Sequence, residues 1–360
     1  MKNEGNLQIL YITFIDFDNI KSGSGVRPKE MYKAFKQLGI DIKLLEGQQN
    51  KRKKRKRKVE EILDWLEDSK PDLCYVEPPT GPFFNSIDLK LLKKVHKKGI
   101  PMGIFYRDTF WRFPKSWGIP LWKKKILTFM HKRDLRVFIN ICDIIYFPGT
   151  KGREVLGGFE LKKTGLLPPG GAEKTFAEDT FSERNCIYIG GTNEAYGGIN
   201  LIRAFEHLNK DKIIATLTLI SPETADFSKN KYKFPWLNIK HTFDRQEIEE
   251  CYRKATFAVI PFKKTPYMEI AIPIKLFEYI GYGLPVISTD CGEIAKVLRE
   301  YDCGILCGDS YSEIAEAVSQ ATSDYDEYLR LKKNALKARK ENRWVDRAQQ
   351  VINDLKGEKK

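Results

Sequence analysis

The 360-residue chain is 42% apolar, 12% aromatic and 31% charged, with a net charge of +14, the composition of a globular protein long enough for two domains with separate cores. No run of eighteen or more apolar residues occurs, which excludes a membrane-spanning helix, and residues 1–5 carry no apolar signal region, so a cytoplasmic location is expected. Only Cys303 and Cys307 of the seven cysteines are close in sequence, and most stand in apolar surroundings, which favours reduced core thiols over disulfides or a zinc site.

The positive charge is unevenly placed. Residues 1–172 hold 34 Lys/Arg against 19 Asp/Glu, and the remainder is close to neutral. Such an asymmetry points to an anionic surface or polymer as a partner of the first half.

An apolar run at 8–14 predicts a buried strand. Ser22-Gly23-Ser24-Gly25-Val26-Arg27 follows, then an amphipathic helix through Met31, Phe35 and Leu38 to Gly39, then a strand at 40–45. The backbone N–H groups of Gly23, Ser24 and Gly25, at a helix N-terminus, can approach an oxyanion or a sugar closely; a tight turn without a ligand fits the same residues. The Gly-x-Gly-x-x-Gly spacing is absent, so no nicotinamide site is expected. Asp16-Phe17-Asp18 could hold a divalent metal, but its place directly after the first strand reads as loop chemistry, and no metal site is expected there.

Lys51-Arg52-Lys53-Lys54-Arg55-Lys56-Arg57-Lys58 is an unbroken basic octet. It fits a solvated loop or helix entry, a nucleic-acid patch, or an electrostatic clamp on anionic lipid. No aromatic interleaves with it, so base stacking has no support. The segment from Phe110 to Met130 mixes Trp and Phe with lysines as interfacial membrane segments do, although its aromatics could equally staple onto their own domain. Together the two regions favour contact with an anionic membrane over nucleic acid.

Strands are expected at 72–76 and 101–106, either side of a Lys-rich helix near 89–95. Charged residues at the C-terminal edge of a parallel strand line the crevice where open α/β sheets bind ligands, which makes Arg107 and Asp108 candidates. Further strands are expected at 143–147 and 163–167. Leu167-Pro168-Pro169-Gly170-Gly171 then breaks the pattern and marks the end of a first domain, 1–169.

A second strand–loop–helix cycle opens with Cys186-Ile187-Tyr188-Ile189-Gly190-Gly191-Thr192, and Gly197-Gly198 precede a helix at 199–208. Strands at 215–220, 239–243, 257–262, 286–289 and 304–307 alternate with helices such as 246–254, so a second α/β domain with a parallel sheet is expected over 170–335. A basic amphipathic run at 325–355, interrupted by Trp344, leads into a helical tail, 336–360.

Within the second domain, Pro273 suits the first turn of a helix whose buried stripe is Leu276, Phe277 and Ile280, and Gly281 and Gly283 stop it. Lys275 and Glu278, three positions apart, share one face near its N-terminus. A cation and a carboxylate there suit a ligand carrying phosphate and vicinal hydroxyls. The plainer reading is an i,i+3 salt bridge on a solvated helix.

Pro273-Ile274-Lys275-Leu276-Phe277-Glu278-Tyr279 followed by Gly283-Leu284-Pro285-Val286-Ile287 resembles the donor-binding segment of GT-B glycosyltransferases, especially the family 4-like enzymes of bacterial surface polysaccharide synthesis. The resemblance extends over most of the chain, with specific motifs in the C-terminal half and looser ones in the N-terminal half. It implies two Rossmann-like α/β domains with parallel sheets facing a central cleft, the acceptor on the first, a nucleotide-diphosphate sugar (UDP-sugar favoured) on the second, and the last helix packing back on the first. Lys275 would then meet the diphosphate, with the amides of Gly190, Gly191, Gly23 and Gly25, and Glu278 the ribose. Thr192 would belong to the donor loop, and the backbone near Thr242 and Phe243 would border the base.

Many family 4 enzymes carry two glutamates eight positions apart, but here position 270 is Ile270 and the nearest acid is Glu269. Either Glu269 contacts the sugar from a shifted loop, or the backbone of Ile270 to Ile272 does so. The resemblance implies retention without a protein base; an inverting enzyme would need one in the first domain, and Asp108 is the best placed. No metal or other cofactor is implied. The expected acceptor is a saccharide or lipid-linked saccharide, reached at the cytoplasmic face of the membrane through Lys51–Lys58 and Phe110–Met130. The rival readings are a polyanion- or nucleic-acid-binding protein built on the octet, and a GT-B phosphorylase or epimerase.

Overall fold

The computed structural model describes residues 7–18, 25–114, 117–174, 179–221 and 232–357. They divide into two compact units, one made of residues 1–169 with 344–360 and the other of residues 170–343. Each unit holds one six-stranded sheet, and every strand pairing is parallel.

In the first unit β1 (Gln8–Thr13), β2 (Asp41–Leu45), β3 (Leu73–Glu77), β4 (Met102–Phe105), β5 (Ile144–Phe147) and β6 (Thr164–Leu166) lie in the order β2-β1-β3-β4-β5-β6. The helices between them are α1 (Val26–Gln37), α2 (Arg52–Asp68), α3 (Ser86–Lys97), α4 (Leu121–Ile141) and α5 (Thr150–Glu154). In the second unit β7 (Asn185–Ile189), β8 (Thr216–Ile220), β9 (Leu237–Lys240), β10 (Phe257–Ile260), β11 (Val286–Thr289) and β12 (Gly304–Cys307) lie in the order β12-β11-β10-β7-β8-β9. They alternate with α6 (Gly198–Leu208), α7 (Arg245–Arg253), α8 (Ile274–Gly281), α9 (Gly292–Tyr301), α10 (Tyr311–Ala321) and α11 (Tyr325–Ala338), and α12 (Trp344–Lys356) closes the chain.

Strands β3, β4, β5, β10 and β11 are buried at every position. Such runs, buried without alternation and largely apolar, are what a parallel sheet covered on both faces requires. Strand β9 runs from Leu237 to Lys240, starting and ending earlier than the strand expected at 239–243, so Thr242 and Phe243 belong to the loop that opens α7. Asp244 ends that loop by accepting the N–H of Glu247 at 2.9 Å, a helix cap that competes with strand continuation.

Helix α12 packs on the first unit. It buries Trp344, Ala348, Val351, Ile352 and Leu355, Gln350 donates to Leu166 O at 2.9 Å, and Tyr146 Oη donates to Asp354 at 3.2 Å. The core of this unit also contains charge. Glu77, at the end of β3, is 1% exposed and accepts from Arg27 Nε at 2.9 Å, Tyr75 Oη at 2.8 Å and Arg107 Nη2 at 3.4 Å. The Arg27 guanidinium lies 3.5 Å from the ring centre of Phe105.

The basic octet is not a uniform cationic surface. It forms the first turns of α2, whose buried stripe is Arg55, Val59, Ile62 and Leu66, so helical periodicity turns Arg55 inward. Arg55 is fully buried, donates from Nε to Asp88 at 2.8 Å and from Nη1 to Thr13 O at 2.8 Å, and lies 4.0 Å from the Phe14 ring centre. Four others face acids: Lys51 meets Asp16 at 2.7 Å, Lys58 meets Glu46 at 3.1 Å, and Lys56 and Arg57 meet Glu60 and Glu61 at 3.6 Å. Of the eight charges, Arg55 therefore serves the core and not the surface, and Lys51 holds Asp16 of the Asp-x-Asp pair.

Between residues 110 and 130 the aromatics divide. Trp111 is buried and donates from Nε1 to Tyr106 Oη at 2.8 Å; Trp117 is partly buried, stacks on Phe110 at 5.7 Å and donates to Phe110 O at 3.1 Å. Those two staple the segment onto its own unit, whereas Trp122 is 60% exposed.

Two outcomes follow for stability. Arg55→Ala strands the Asp88 carboxylate inside the unit and should cost about 3–5 kcal/mol in urea unfolding, while Lys53→Ala on the exposed side of the same helix should stay within about 0.5 kcal/mol. Burial pushes the His131 imidazole, stacked on Trp111 at 5.7 Å, down to about 4. Between pH 6.5 and 4 the unfolded chain then binds a proton that the folded one does not, so stability falls as pH drops through that window. His131→Phe should flatten this part of the pH–stability curve.

Candidate functional site

Parallel pairing puts the C-terminal ends of all strands in a sheet at one edge. In the second unit the strand order runs outward from β7 in one direction and from β10 in the other, and the loops leaving these two neighbours diverge, opening the crevice where doubly wound sheets bind ligands. After β7 come Gly190, Gly191, Thr192 and Asn193, a 3₁₀ turn at Glu194–Tyr196, and Gly197, which opens α6. Gly197 has φ 71°, and a Cβ there would lie 1.8 Å from Pro261 O, so the loop packs backbone to backbone on the segment leaving β10. A Cβ on Gly190 would lie 2.5 Å from Tyr188 Oη, which donates to Gly191 O at 2.7 Å. Thr192 is 1% exposed, with its Cα against Gly198, so at that position the loop turns a side chain inward.

Helix α8 starts just after Pro273, which is extended at φ −73° and ψ 142° and so stands before the first turn. Leu276, Phe277, Tyr279 and Ile280 are buried, and Lys275 and Glu278 lie half-buried. Lys275 Nζ and Glu278 Oε2 are 2.6 Å apart: the i,i+3 ion pair is present. Tyr252 Oη, from α7, donates to the same Glu278 oxygen at 3.1 Å. Tyr279 Oη accepts the N–H of Ile189, the last residue of β7, at 3.0 Å, and Tyr252 stacks on Tyr282 at 4.2 Å. This tyrosine cluster fixes the Lys275–Glu278 face beside the glycine loop.

The other predicted residues of the second unit share the same sheet edge. Thr242 Oγ1 accepts the N–H of Asp244 at 3.0 Å, and Phe243 is 58% exposed. Ile272 is partly buried against the core between a 3₁₀ turn at Met268–Ile270 and α8. Glu269, on that turn, accepts the N–H of Gly292 at 3.1 Å with Oε2, a carboxylate placed at the N-terminus of α9 where the helix dipole favours it.

In the first unit Gly25 is the residue before α1, and Gly23 and Ser24 lie outside the described residues. Arg107 and Asp108 follow β4; Arg107 reaches Glu77, and Asp108 Oδ1 accepts the N–H of Phe110 at 2.7 Å. The predicted residues thus form two groups, one per unit. Sequence reasoning missed Tyr252, Glu77, His131 and Asp134. His131 and Asp134, both on α4, line one small cavity with Pro79, Gly81, Arg107 and Asp108. Asp134 accepts the N–H of Phe83 at 2.7 Å, and burial raises its pKa.

Residues 183–324 match the family described as glycosyl transferases group 1. That matched stretch lies wholly within the second unit. Over 58 residues the chain is 29% identical to TuaH of Bacillus subtilis (strain 168), named as a teichuronic acid biosynthesis glycosyltransferase; that match spans 16% of this chain and 15% of TuaH. Among solved structures the chain resembles sucrose-phosphate synthase from Thermosynechococcus elongatus, with TM-score 0.69 and 14% identity over 98% of this chain and 99% of the other. HepE from Anabaena in complex with UDP-glucose gives TM-score 0.66 and 12% identity over 98% and 100%, and a glycosyltransferase from Rickettsia africae 0.66 and 11% over 98% of each. The fold is GT-B.

The glycine loop of the second unit tolerates no side chain at Gly197. A left-handed alanine costs about 1–2 kcal/mol on conformation alone, which is what Gly99→Ala should show, since Gly99 has φ 63° with nothing near its Cβ position. Gly197→Ala adds the clash with Pro261 O and should cost about 1–3 kcal/mol more, read as the difference between the two variants in urea unfolding.

Proposed function

We propose that this chain transfers a sugar from a nucleotide-diphosphate sugar, with UDP the favoured nucleotide, to a saccharide or lipid-linked saccharide acceptor in surface polysaccharide synthesis. The observation that carries the reading is the face of α8: a cation paired with a carboxylate that Tyr252 also holds, on a helix that Tyr279 fastens to Ile189 beside the backbone loop Gly190–Gly191, in a unit that matches the group 1 glycosyl transferases. Two kinds of solved relative support the substrate class, HepE with UDP-glucose and a trehalose-phosphate synthase with glucose-6-phosphate.

In this reading Lys275 and the amides of Gly190 and Gly191 meet the diphosphate, and the charge that grows there as the sugar–phosphate bond breaks strengthens those contacts. Glu278 accepts from the ribose hydroxyls, and the base lies against Thr242 and Phe243. The sugar meets the backbone of Ile270 to Ile272, because the Glu269 carboxylate is engaged with the α9 N-terminus. The acceptor lies on the first unit near Gly25, Arg107 and Asp108. Transfer proceeds with retention and without a metal. The acceptor oxygen bonds the anomeric carbon as the phosphate oxygen leaves, and that leaving oxygen takes the hydroxyl proton.

A panel of UDP-, GDP- and ADP-sugars scored by thermal shift tests the substrate class, with stabilisation by none of them as the failing result. Lys275→Ala and Glu278→Ala should each lose about 1.5–3 kcal/mol of donor interaction, or roughly 10–150-fold in kcat/KM, while unfolding as wild type. Turnover should persist in excess chelator; loss with EDTA and recovery with manganese would overturn the metal-free reading.

A further inference from the structure

Helix α4 carries two apolar faces, and its own unit uses one of them. Asp134, Leu135, Phe138 and Ile141 are buried. On the opposite side Trp122, Ile126 and Phe129, spaced i, i+4 and i+7, are 60%, 51% and 66% exposed, and Leu121 at the helix start is 75% exposed. A surface helix ordinarily shows one apolar stripe and a polar back; here the back of the first turns is aromatic and aliphatic. Patches of this kind mark interaction sites.

The charge around the patch selects its partner. Residues 121–133 contain Lys123, Lys124, Lys125, Lys132 and Arg133 and no acidic residue. Large apolar side chains among cations, with no acid, complement a surface that is apolar inside and anionic outside. We propose that the N-terminal half of α4 is a docking surface for an anionic lipid bilayer. Trp122, Ile126 and Phe129 enter the headgroup layer, and the lysines meet the lipid phosphates. Trp111 and Trp117 take no part, since both are packed on their own unit, and the octet of α2 is not the anchor, since Arg55 is buried and four of its neighbours face acids.

Two and five residues beyond Phe129 the same helix presents His131 and Asp134 to the cavity lined by Arg107 and Asp108. A saccharide on a lipid anchor would therefore meet that cavity directly behind the docked face. This consequence rests on the acceptor reading above, whereas the docking itself does not.

Co-sedimentation of the full chain with phosphatidylglycerol-containing and pure phosphatidylcholine vesicles, at low and moderate salt, tests the proposal. Expected are pelleting with anionic vesicles that falls with salt, at least tenfold weaker binding for Trp122→Ser/Phe129→Ser, and a change within twofold for Lys53→Gln/Lys54→Gln. Absence of pelleting with anionic vesicles, equal pelleting with both lipids, or a double variant that binds as wild type overturns it. So does a wild-type dimer in light scattering that the double variant converts to monomer, since the face would then be covered by a second copy. Thermal shifts with the UDP-, GDP- and ADP-sugar panel on the same samples keep the readings apart. Docking without donor stabilisation sinks the transfer reading alone, and donor stabilisation without docking sinks this one alone.

Discussion

Parallel strand pairing is the constraint from which the rest of the molecule follows. A parallel neighbour needs a crossover, the crossovers here are helices, and a sheet covered on both faces by helices buries its central strands almost throughout and makes them largely apolar. Side chains within such strands have no water to face, so polar chemistry is displaced to the loops at their C-terminal ends. This explains why residues as far apart in sequence as Gly190, Phe243, Glu269 and Lys275 share one edge of the second sheet, and why Glu77, Arg107 and Asp108 share an edge of the first. The strand order then selects one gap on each edge. In the second sheet it lies between β7 and β10, and the Ile189–Tyr279 hydrogen bond fastens α8 to it.

The first unit shows the cost of bringing charge inside and how that cost is met. Arg27 and Glu77 are 3% and 1% exposed, and Arg55 is fully buried beside Asp88 at 2%. Each guanidinium has a carboxylate, at least one backbone carbonyl and an aromatic face, the combination that lets a planar, weakly hydrated cation survive in a core. A lysine in either place would keep the charge and lose the fork and the stacking. Both pairs tie a helix, α1 or α2, to the strand or helix beside it, so they fix register where apolar contacts alone would slide.

How much of this was legible in the sequence depended on whether a signal was periodic. Strands β11 and β12 have the ends expected from their apolar runs, because Pro285 and Gly304 bound them chemically. Strand β9 lies at Leu237–Lys240 rather than 239–243, since Lys240, His241 and Thr242 give that stretch no apolar pattern to fix its ends and the Asp244 cap claims the residues after it. The octet opens a helix, one of the readings it allows, but the inward turn of Arg55 is hidden because eight consecutive cations look uniform, although a stripe through Arg55, Val59, Ile62 and Leu66 stands at helical spacing. Glu77 could have been found by the rule that singled out Arg107, a charge at the end of an apolar strand. Tyr252 had no signal of its own, because its bond to Glu278 joins positions 26 apart that only the fold brings together.

The Lys275–Glu278 pair shows that the plain and the functional readings of a motif need not compete. The two side chains are 30% and 21% exposed and three residues apart on one helix, a pairing worth about 0.2–0.5 kcal/mol. An interaction that weak does little to hold α8, whose position is set by Leu276, Phe277, Ile280 and the Tyr279 hydroxyl. It does set the resting geometry of both groups, sparing part of the side-chain entropy a ligand would otherwise have to remove, on the order of 1 kcal/mol per long side chain. A phosphate that draws the ammonium away, and a diol that takes up the carboxylate, would therefore displace a contact cheap to break on a helix that does not move.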